Sequence, residues 1–100
     1  MRIVAFVSDL MDRSRISGAI PGAEFTTEPA AAAGADTVVV DLARFGDQIP
    51  RIRAATAGRI VAYGPHVDDR ALTDARDAGA DVVVPRSRFF RDPAAAVTAP

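Results

Sequence analysis

The residues best suited to chemistry in this sequence are two aspartates that each follow an apolar run. Asp9 comes after Ile3–Val7 and Ser8, and Asp41 directly follows Val38–Val40. Two carboxylates that meet at one edge of a sheet can hold a hard divalent cation such as Mg²⁺, with water and a backbone carbonyl as further ligands. A metal there would neutralise both charges and prepare Asp41 to accept or bind a phosphoryl group. The alternative is structural: Asp9 caps the first helix, and Asp41 hydrogen-bonds its own loop.

Other catalytic chemistries find less support in the sequence. The glycines are isolated and form no phosphate-binding loop, and cysteine is absent. His66 is the only histidine and lies in a proline-bounded loop. It could pair with Ser8 or Asp41, or simply be an exposed loop residue. No spacing indicates a nucleophile with a base and an orienting acid, so we predict that the protein is not an enzyme.

The elements that position these aspartates follow from hydrophobic patterning. The β-branched run within residues 34–42 is typical of a strand buried on both faces, as in a parallel sheet covered by helices. Four further strands are predicted at 3–7, 23–26, 59–63 and 79–84, the last ended by Pro85. Helices are predicted over about 11–20, 28–33, 47–56, 68–78 and from Asp92 onward, whereas 42–46 is expected to be a loop.

Three of these predictions concern individual residues. Met11 and Ile16 are expected on the buried face of the first helix, together with Ala19 and Ile20. Asp47 is a candidate N-cap for the third helix. Phe89 and Phe90 are expected to anchor the terminal helix to the sheet.

Strands and helices therefore alternate regularly along the chain. This alternation predicts a doubly wound α/β fold with a five-stranded parallel sheet in a single domain covering residues 1–100. In the flavodoxin-like strand order 2-1-3-4-5, strands one and three are neighbours at the topological switch point. Asp9 and Asp41 are then expected to lie side by side.

Composition narrows the class of protein. The chain has 100 residues, 49% of them hydrophobic and 25% charged, which is typical of a soluble globular domain. Its net charge of -1 argues against binding to nucleic acid or to a membrane surface. The first residues do not form a signal peptide, so a cytoplasmic protein is expected.

Three stretches of this sequence resemble the receiver domain of bacterial response regulators. They are the first strand ending in Ser8-Asp9, the stretch 38–42 (Val-Val-Val-Asp-Leu), and the stretch 78–86 (Ala-Gly-Ala-Asp-Val-Val-Val-Pro-Arg). The resemblance covers nearly the whole chain. It implies an acidic pair that binds Mg²⁺, an aspartate that accepts phosphate, and a hydroxyl and a lysine that respond to the phosphoryl group.

The match to the family's functional residues is incomplete. Asp41 falls on the phosphoacceptor, and Asp9 falls on the second member of the acidic pair. Ser8 replaces the first acid, Gly64 stands at the hydroxyl-bearing switch position, and Arg86 stands at the lysine position as a candidate partner for phosphate. Arginine pairs with phosphate through a rigid planar fork and does not copy a compact ammonium group.

The resemblance implies a signalling module of two-component or phosphorelay type. We predict a pseudo-receiver that acts through protein–protein contacts, with weak Mg²⁺ binding at Asp9 and Asp41. The alternatives are a functional Mg²⁺-dependent phosphoacceptor that uses Asp41, and a small flavodoxin-like ligand-binding domain or enzyme. A sensor kinase or a downstream effector is the expected partner, and a homodimer is a further option. The resemblance places the partner face around Arg70, Arg76, Arg88 and Phe90.

Overall fold

Five short apolar stretches form the sheet. The computed structural model describes residues 1–65 and 69–98. All strand pairs are parallel, and the strand order is β2-β1-β3-β4-β5, which confirms the predicted fold class and topology. The strands are β1 (Ile3–Phe6), β2 (Glu24–Phe25), β3 (Thr37–Asp41), β4 (Arg59–Gly64) and β5 (Val82–Pro85).

The register of the strands brings their carboxyl ends to one edge of the sheet. Phe6 lies opposite Val40 on the neighbouring strand, and Asp41 lies opposite Tyr63. Gly64 in turn lies opposite Pro85. Because ligands of open α/β sheets bind outside the carboxyl ends of the strands, this edge is the first place to look for a site.

Helices connect the strands and cover both faces of the sheet. They are α1 (Leu10–Ala19), α2 (Leu42–Phe45), α3 (Ile49–Ala55), α4 (Asp69–Ala78), α5 (Arg86–Arg91) and α6 (Pro93–Thr98), with 3₁₀ turns at Pro29–Ala32 and Gly46–Gln48. Within residues 1–65 and 69–98, none of these helices combines the length and the apolar character needed to cross a bilayer.

Several local predictions were wrong. Residues 42–46 are helical rather than a loop, because the Asp41 carboxylate accepts the Ala43 N–H and caps a short helix. Asp47 lies inside a 3₁₀ turn and does not cap α3. The segment around Pro29–Ala32 is a 3₁₀ turn and not an α-helix. Helix α5 was not predicted: it begins directly after Pro85, whose extended backbone occupies its N-cap position.

The core has two parts, one on each face of the sheet. Val38 and Val40 point into the part covered by α3 and α4, and Val39 points into the part covered by α1, α5 and α6. All three are fully buried, as the unbroken apolar run predicted. Phe89 is fully buried in the second part, whereas Phe90 is only partly buried beside it.

Arg53 of α3 forms hydrogen bonds with the segments at the amino-terminal ends of the strands. Its guanidinium donates to the backbone carbonyls of Thr56 and Gly58 at 2.9 and 2.5 Å. It also donates to the Gly79 carbonyl at 3.2 Å and to the Asp81 carboxylate at 3.0 Å. Helix α3 is thereby tied to the segments that enter β4 and β5.

Candidate functional site

Asp9 and Asp41 line one cavity at the carboxyl edge of the sheet, together with Arg86. The cavity has a volume of about 210 Å³. Asp9 caps α1, because its Oδ1 accepts the Asp12 N–H at 3.0 Å. Oδ1 of Asp41 accepts the Ala43 N–H at 3.0 Å. Both aspartates thus have the structural roles named as the alternative, and both also face the cavity.

A third aspartate, Asp12, dominates the electrostatics of this cavity. Its side chain is only 1% exposed and binds the Arg86 guanidinium through both oxygens, with Nη1 to Oδ2 at 2.6 Å and Nη2 to Oδ1. The Tyr63 hydroxyl also donates to Asp12 Oδ2, at 3.0 Å. Arg86 is therefore engaged by a carboxylate of the protein itself.

Asp12 was not among the residues predicted for the site. Met11 was expected on the buried face of the first helix, but Met11 is 69% exposed and Asp12 is buried instead. One signal was present in the sequence: Asp12 precedes Ile16 by four residues, and residues four apart share a helix face. Its partner Arg86 lies 74 residues away along the chain, and local patterns carry no information about that contact.

The two buried carboxyl groups are shifted in opposite directions. The pKa of Asp12 lies below its usual value, chiefly because Arg86 hydrogen-bonds its carboxylate. The pKa of Asp41 is raised, chiefly by burial, and the charge of Asp12 contributes to that rise. The pKa of Arg86 is raised mainly by its hydrogen bonds to Asp12. Both shifts favour the ionised forms of Asp12 and Arg86.

A cluster of aromatic rings packs beside the Arg86 side chain. Tyr63 stacks on Phe89 with ring centroids 4.8 Å apart, and Phe90 meets Tyr63 edge-on at 5.0 Å. The Arg86 guanidinium carbon lies 4.8 Å from the centre of the Phe90 ring, and Arg15 lies over the same ring at 5.6 Å. The contact between Arg86 and Phe90 helps to hold the Arg86 side chain beside Asp12.

The predicted switch position, Gly64, also lines the cavity. It is buried and offers no side chain. A Cβ added there would lie 3.1 Å from Cδ1 of Leu42 and 3.4 Å from Cδ2 of Leu72. A hydroxyl-bearing residue could enter this position only if Leu42 moved.

The described residues do not form a ready metal site. They contain no cluster of three or more acidic or histidine side chains with the arrangement of metal ligands. Both Asp12 oxygens are bound to Arg86, and Asp9 and Asp41 each have one oxygen bound to a backbone N–H. Asp9 and Asp41 each keep one oxygen without a hydrogen bond among the described residues, and two carboxylates alone are a poor donor set for a resident Mg²⁺ ion.

The residues predicted for a partner face belong to helices α4 and α5, and a partner surface shared by them stays a prediction. Arg70 is exposed on α4, 3.9 Å from Asp74, and Arg76 donates to the Val83 carbonyl at 3.2 Å. Arg88 is exposed on α5, while Phe90 packs in the aromatic cluster beside Arg86. His66 lies outside the described residues.

Solved structures of other proteins share this fold. The chain superposes on a response regulator from Hahella chejuensis with a TM-score of 0.68 and 20% sequence identity, covering 99% of this chain and 97% of that one. A protein from Sinorhizobium meliloti assigned to pilus assembly, CpaE2, gives a TM-score of 0.66 at 20% identity, with 97% of both chains covered. No protein-family model and no curated protein sequence matches the chain. The chain has the fold of a response-regulator receiver domain.

Proposed function

We propose that this receiver-fold chain is a pseudo-receiver: a signalling module that acts through protein contacts and has lost an effective phosphate response. The observation that carries the proposal is the two-point ion pair between Asp12 and Arg86. Arg86 is the cation that would have to meet a phosphoryl group on Asp41. An internal carboxylate already occupies it, so phosphorylation would have to break this half-buried pair before gaining a new one.

Two further features support this proposal. Burial raises the pKa of Asp41, which disfavours the ionised form that a phosphoacceptor needs. Gly64 has no hydroxyl with which to follow a phosphoryl group. A ligand shifts a conformational equilibrium only by its differential interaction with the two states, and here few groups could supply that difference.

The second candidate function is an Mg²⁺-dependent phosphoacceptor that uses Asp41. It is favoured by the convergence of Asp9, Asp41 and Arg86 on one cavity. A small ligand-binding domain or enzyme is less well supported, since the cavity of about 210 Å³ lies below the range of about 300–1,000 Å³ typical of small-molecule sites. The proposal takes the chain as a single domain, residues 1–100, with a non-enzymatic role in the cytoplasm.

Titration followed by backbone amide NMR shifts distinguishes the two candidates. Mg²⁺ is added first, then beryllofluoride as a phosphoryl mimic, to the wild type and to Asp41→Asn. For a pseudo-receiver we expect small, unsaturated shifts confined to residues near Asp9 and Asp41. Saturable shifts at sub-millimolar Mg²⁺ that reach helix α4, and that vanish in Asp41→Asn, would establish the phosphoacceptor instead.

An Asp12→Asn variant sharpens this test. It keeps the size of the side chain but removes the charge that holds Arg86. If the ion pair is what suppresses the response, Asp12→Asn should respond to Mg²⁺ and beryllofluoride more strongly than the wild type. An equally weak response in both proteins would show that the ion pair is not the cause.

A further inference from the structure

An apolar groove lies away from the carboxyl edge, beside strand β5. It has a volume of about 380 Å³. Val82 and Val84 of the strand and Phe89 of α5 supply much of its apolar lining. Because β5 is the last strand of the sheet, it pairs with β4 on one side only. The groove therefore runs along an edge strand, where backbone groups are open to an added strand.

Three arginines line this groove. Arg59 comes from the first residue of β4, at the amino-terminal edge of the sheet, and Arg88 and Arg91 come from α5, which begins beyond the opposite end of β5. Asp92 is the one acid among the lining residues, and its Oδ1 accepts the Ala95 N–H at 3.1 Å at the start of α6. The groove thus has an excess of positive charge in a chain whose net charge is -1.

These arginines have unused hydrogen-bonding capacity. Nε of Arg59 is buried and has no partner among the described residues. Arg88 and Arg91 are exposed and, in residues 1–65 and 69–98, form no ion pair with an acidic side chain. A buried donor without a partner costs free energy unless a ligand or water satisfies it.

We propose that this groove binds an extended acidic segment of a partner protein, one that alternates acidic and aliphatic residues. The aliphatic side chains would lie on Val82, Val84 and Phe89, and the carboxylates would meet the arginines. Strand addition beside β5 would supply backbone hydrogen bonds. The proposal rests on the proposed function, because it names the class of partner for a module that acts through protein contacts.

The distribution of charge favours a peptide over a compact anion. Arg59 of β4 and the α5 arginines Arg88 and Arg91 line the groove together with apolar side chains of β5, so its lining suits a chain that carries both charged and aliphatic groups better than a compact anion. A strand of four residues such as β5 spans about 13 Å, at about 3.3 Å per residue. An extended peptide of about that length follows the whole strand and can place carboxylates beside arginines of both β4 and α5.

The test uses a fluorescein-labelled peptide of about eight residues that alternates Glu and Val, titrated with the full chain and followed by fluorescence anisotropy. Two comparison peptides replace Glu with Lys or Val with Ser. We expect saturable binding of the Glu-Val peptide and at least about tenfold weaker binding of both comparison peptides. Amide shifts should centre on Val82, Val84 and Ala95.

Matched variants locate the binding site. Arg88→Glu should weaken binding of the Glu-Val peptide about tenfold or more. Arg51→Glu reverses an equally exposed charge on α3 and should leave the affinity unchanged. Absence of saturable binding, equal affinity for the Lys-Val or Glu-Ser peptide, or equal effects of the two variants would overturn the proposal. Self-association that Arg88→Glu abolishes would assign the groove to a second copy of the chain, which also overturns it.

The outcome is separable from that of the proposed function. The peptide titration measures binding in the groove beside β5, whereas the beryllofluoride titration measures binding in the cavity around Asp41. Failure of the peptide to bind leaves the test of the pseudo-receiver unchanged. A strong beryllofluoride response with normal peptide binding would overturn the pseudo-receiver alone.

Discussion

Asp12 and Asp41 are buried aspartates of the same cavity, yet they affect stability in opposite ways. Asp12 is paired with Arg86 and bonded by Tyr63, so its ionised form is favoured in the folded state. Asp41 receives one backbone N–H and no cationic partner in direct contact among the described residues, so burial favours its neutral form. A neutral variant of each residue therefore measures its effect on stability separately.

Asp12→Asn is expected to lower the free energy of unfolding by about 2–3 kcal/mol at neutral pH. The variant leaves Arg86 without a counter-charge. We place the cost below that of a fully buried pair, because the Arg86 side chain is 45% exposed. Urea unfolding measures the change, and an Arg86→Gln variant with the double variant completes a cycle. Strictly additive losses would mean that the two residues do not stabilise each other.

The same ion pair predicts part of the acid sensitivity. A carboxyl whose folded pKa lies below its unfolded value stabilises the protein above the unfolded pKa, and this stabilisation is lost as pH falls through the folded pKa. For Asp12 the loss begins below the ordinary value of 3.8. In pH-dependent melting, Asp12→Asn should therefore show a shallower fall in this acid range than the wild type.

Asp41→Asn is expected to leave stability unchanged or to raise it at pH 7. The folded pKa of Asp41 is raised, so its stabilising contribution belongs to low pH and is lost as pH rises through the folded pKa. Asparagine keeps an oxygen that can accept the Ala43 N–H, and it removes the buried charge. Thermal melting at several pH values measures this, and any advantage of the variant should shrink in acid. A loss of several kcal/mol at pH 7 would mean that the Asp41 charge is itself stabilising.

At the scale of elements, Arg53 attaches helix α3 firmly to the sheet. Arg53→Met keeps an apolar stem but removes the donors to Thr56, Gly58, Gly79 and Asp81. We expect a loss of about 2–3 kcal/mol in urea unfolding, because buried or half-buried acceptors lose a charged donor. Arg51→Met on the same helix is the control, since Arg51 is exposed and makes only a long contact of 3.5 Å to Gln48. Equal losses in both variants would assign the effect to helix propensity.

The elements differ in how well the sequence predicts them. The five strands and their order followed from apolar runs and regular alternation, because a strand buried on both faces needs an unbroken run such as Val38–Val40. The short helices α2 and α5 were missed. Each begins directly after a strand, and their four and six residues are too few to show a helical period.

The candidate site was predictable only in part, for the same physical reason. Asp41 ends β3 and Asp9 follows β1 as the N-cap of α1, so topology alone predicted their positions at one edge. The Asp12–Arg86 pair depends on how α1 and α5 pack, and that packing joins residues 74 positions apart. The groove beside β5 likewise combines residues from β4, β5, α5 and α6. Its arginines appear in the sequence only as scattered charges.

At the scale of the whole molecule, two sets of side-chain contacts stabilise the sheet, one at each end of its strands. The Asp12–Arg86 pair lies at the carboxyl ends of the strands, and Arg53 lies at the amino ends. Strand β4, with six residues at about 3.3 Å per residue, separates these two ends of the sheet by about 20 Å. Because the core on both faces is built on the same strands, a disturbance at either edge should weaken the whole fold rather than one half.

We therefore expect the losses of Asp12→Asn and Arg53→Met to add within about 0.5 kcal/mol in the double variant. The chain contains one tyrosine and no tryptophan, so intrinsic fluorescence reports the surroundings of Tyr63 beside Asp12, while circular dichroism reports all helices and strands. For a cooperative domain the two signals should give the same urea midpoint in the wild type and in each variant. A fluorescence midpoint that precedes the dichroism midpoint in Asp12→Asn would show that the carboxyl edge opens separately. In that case the ion pair would control local opening of the cavity rather than the stability of the fold.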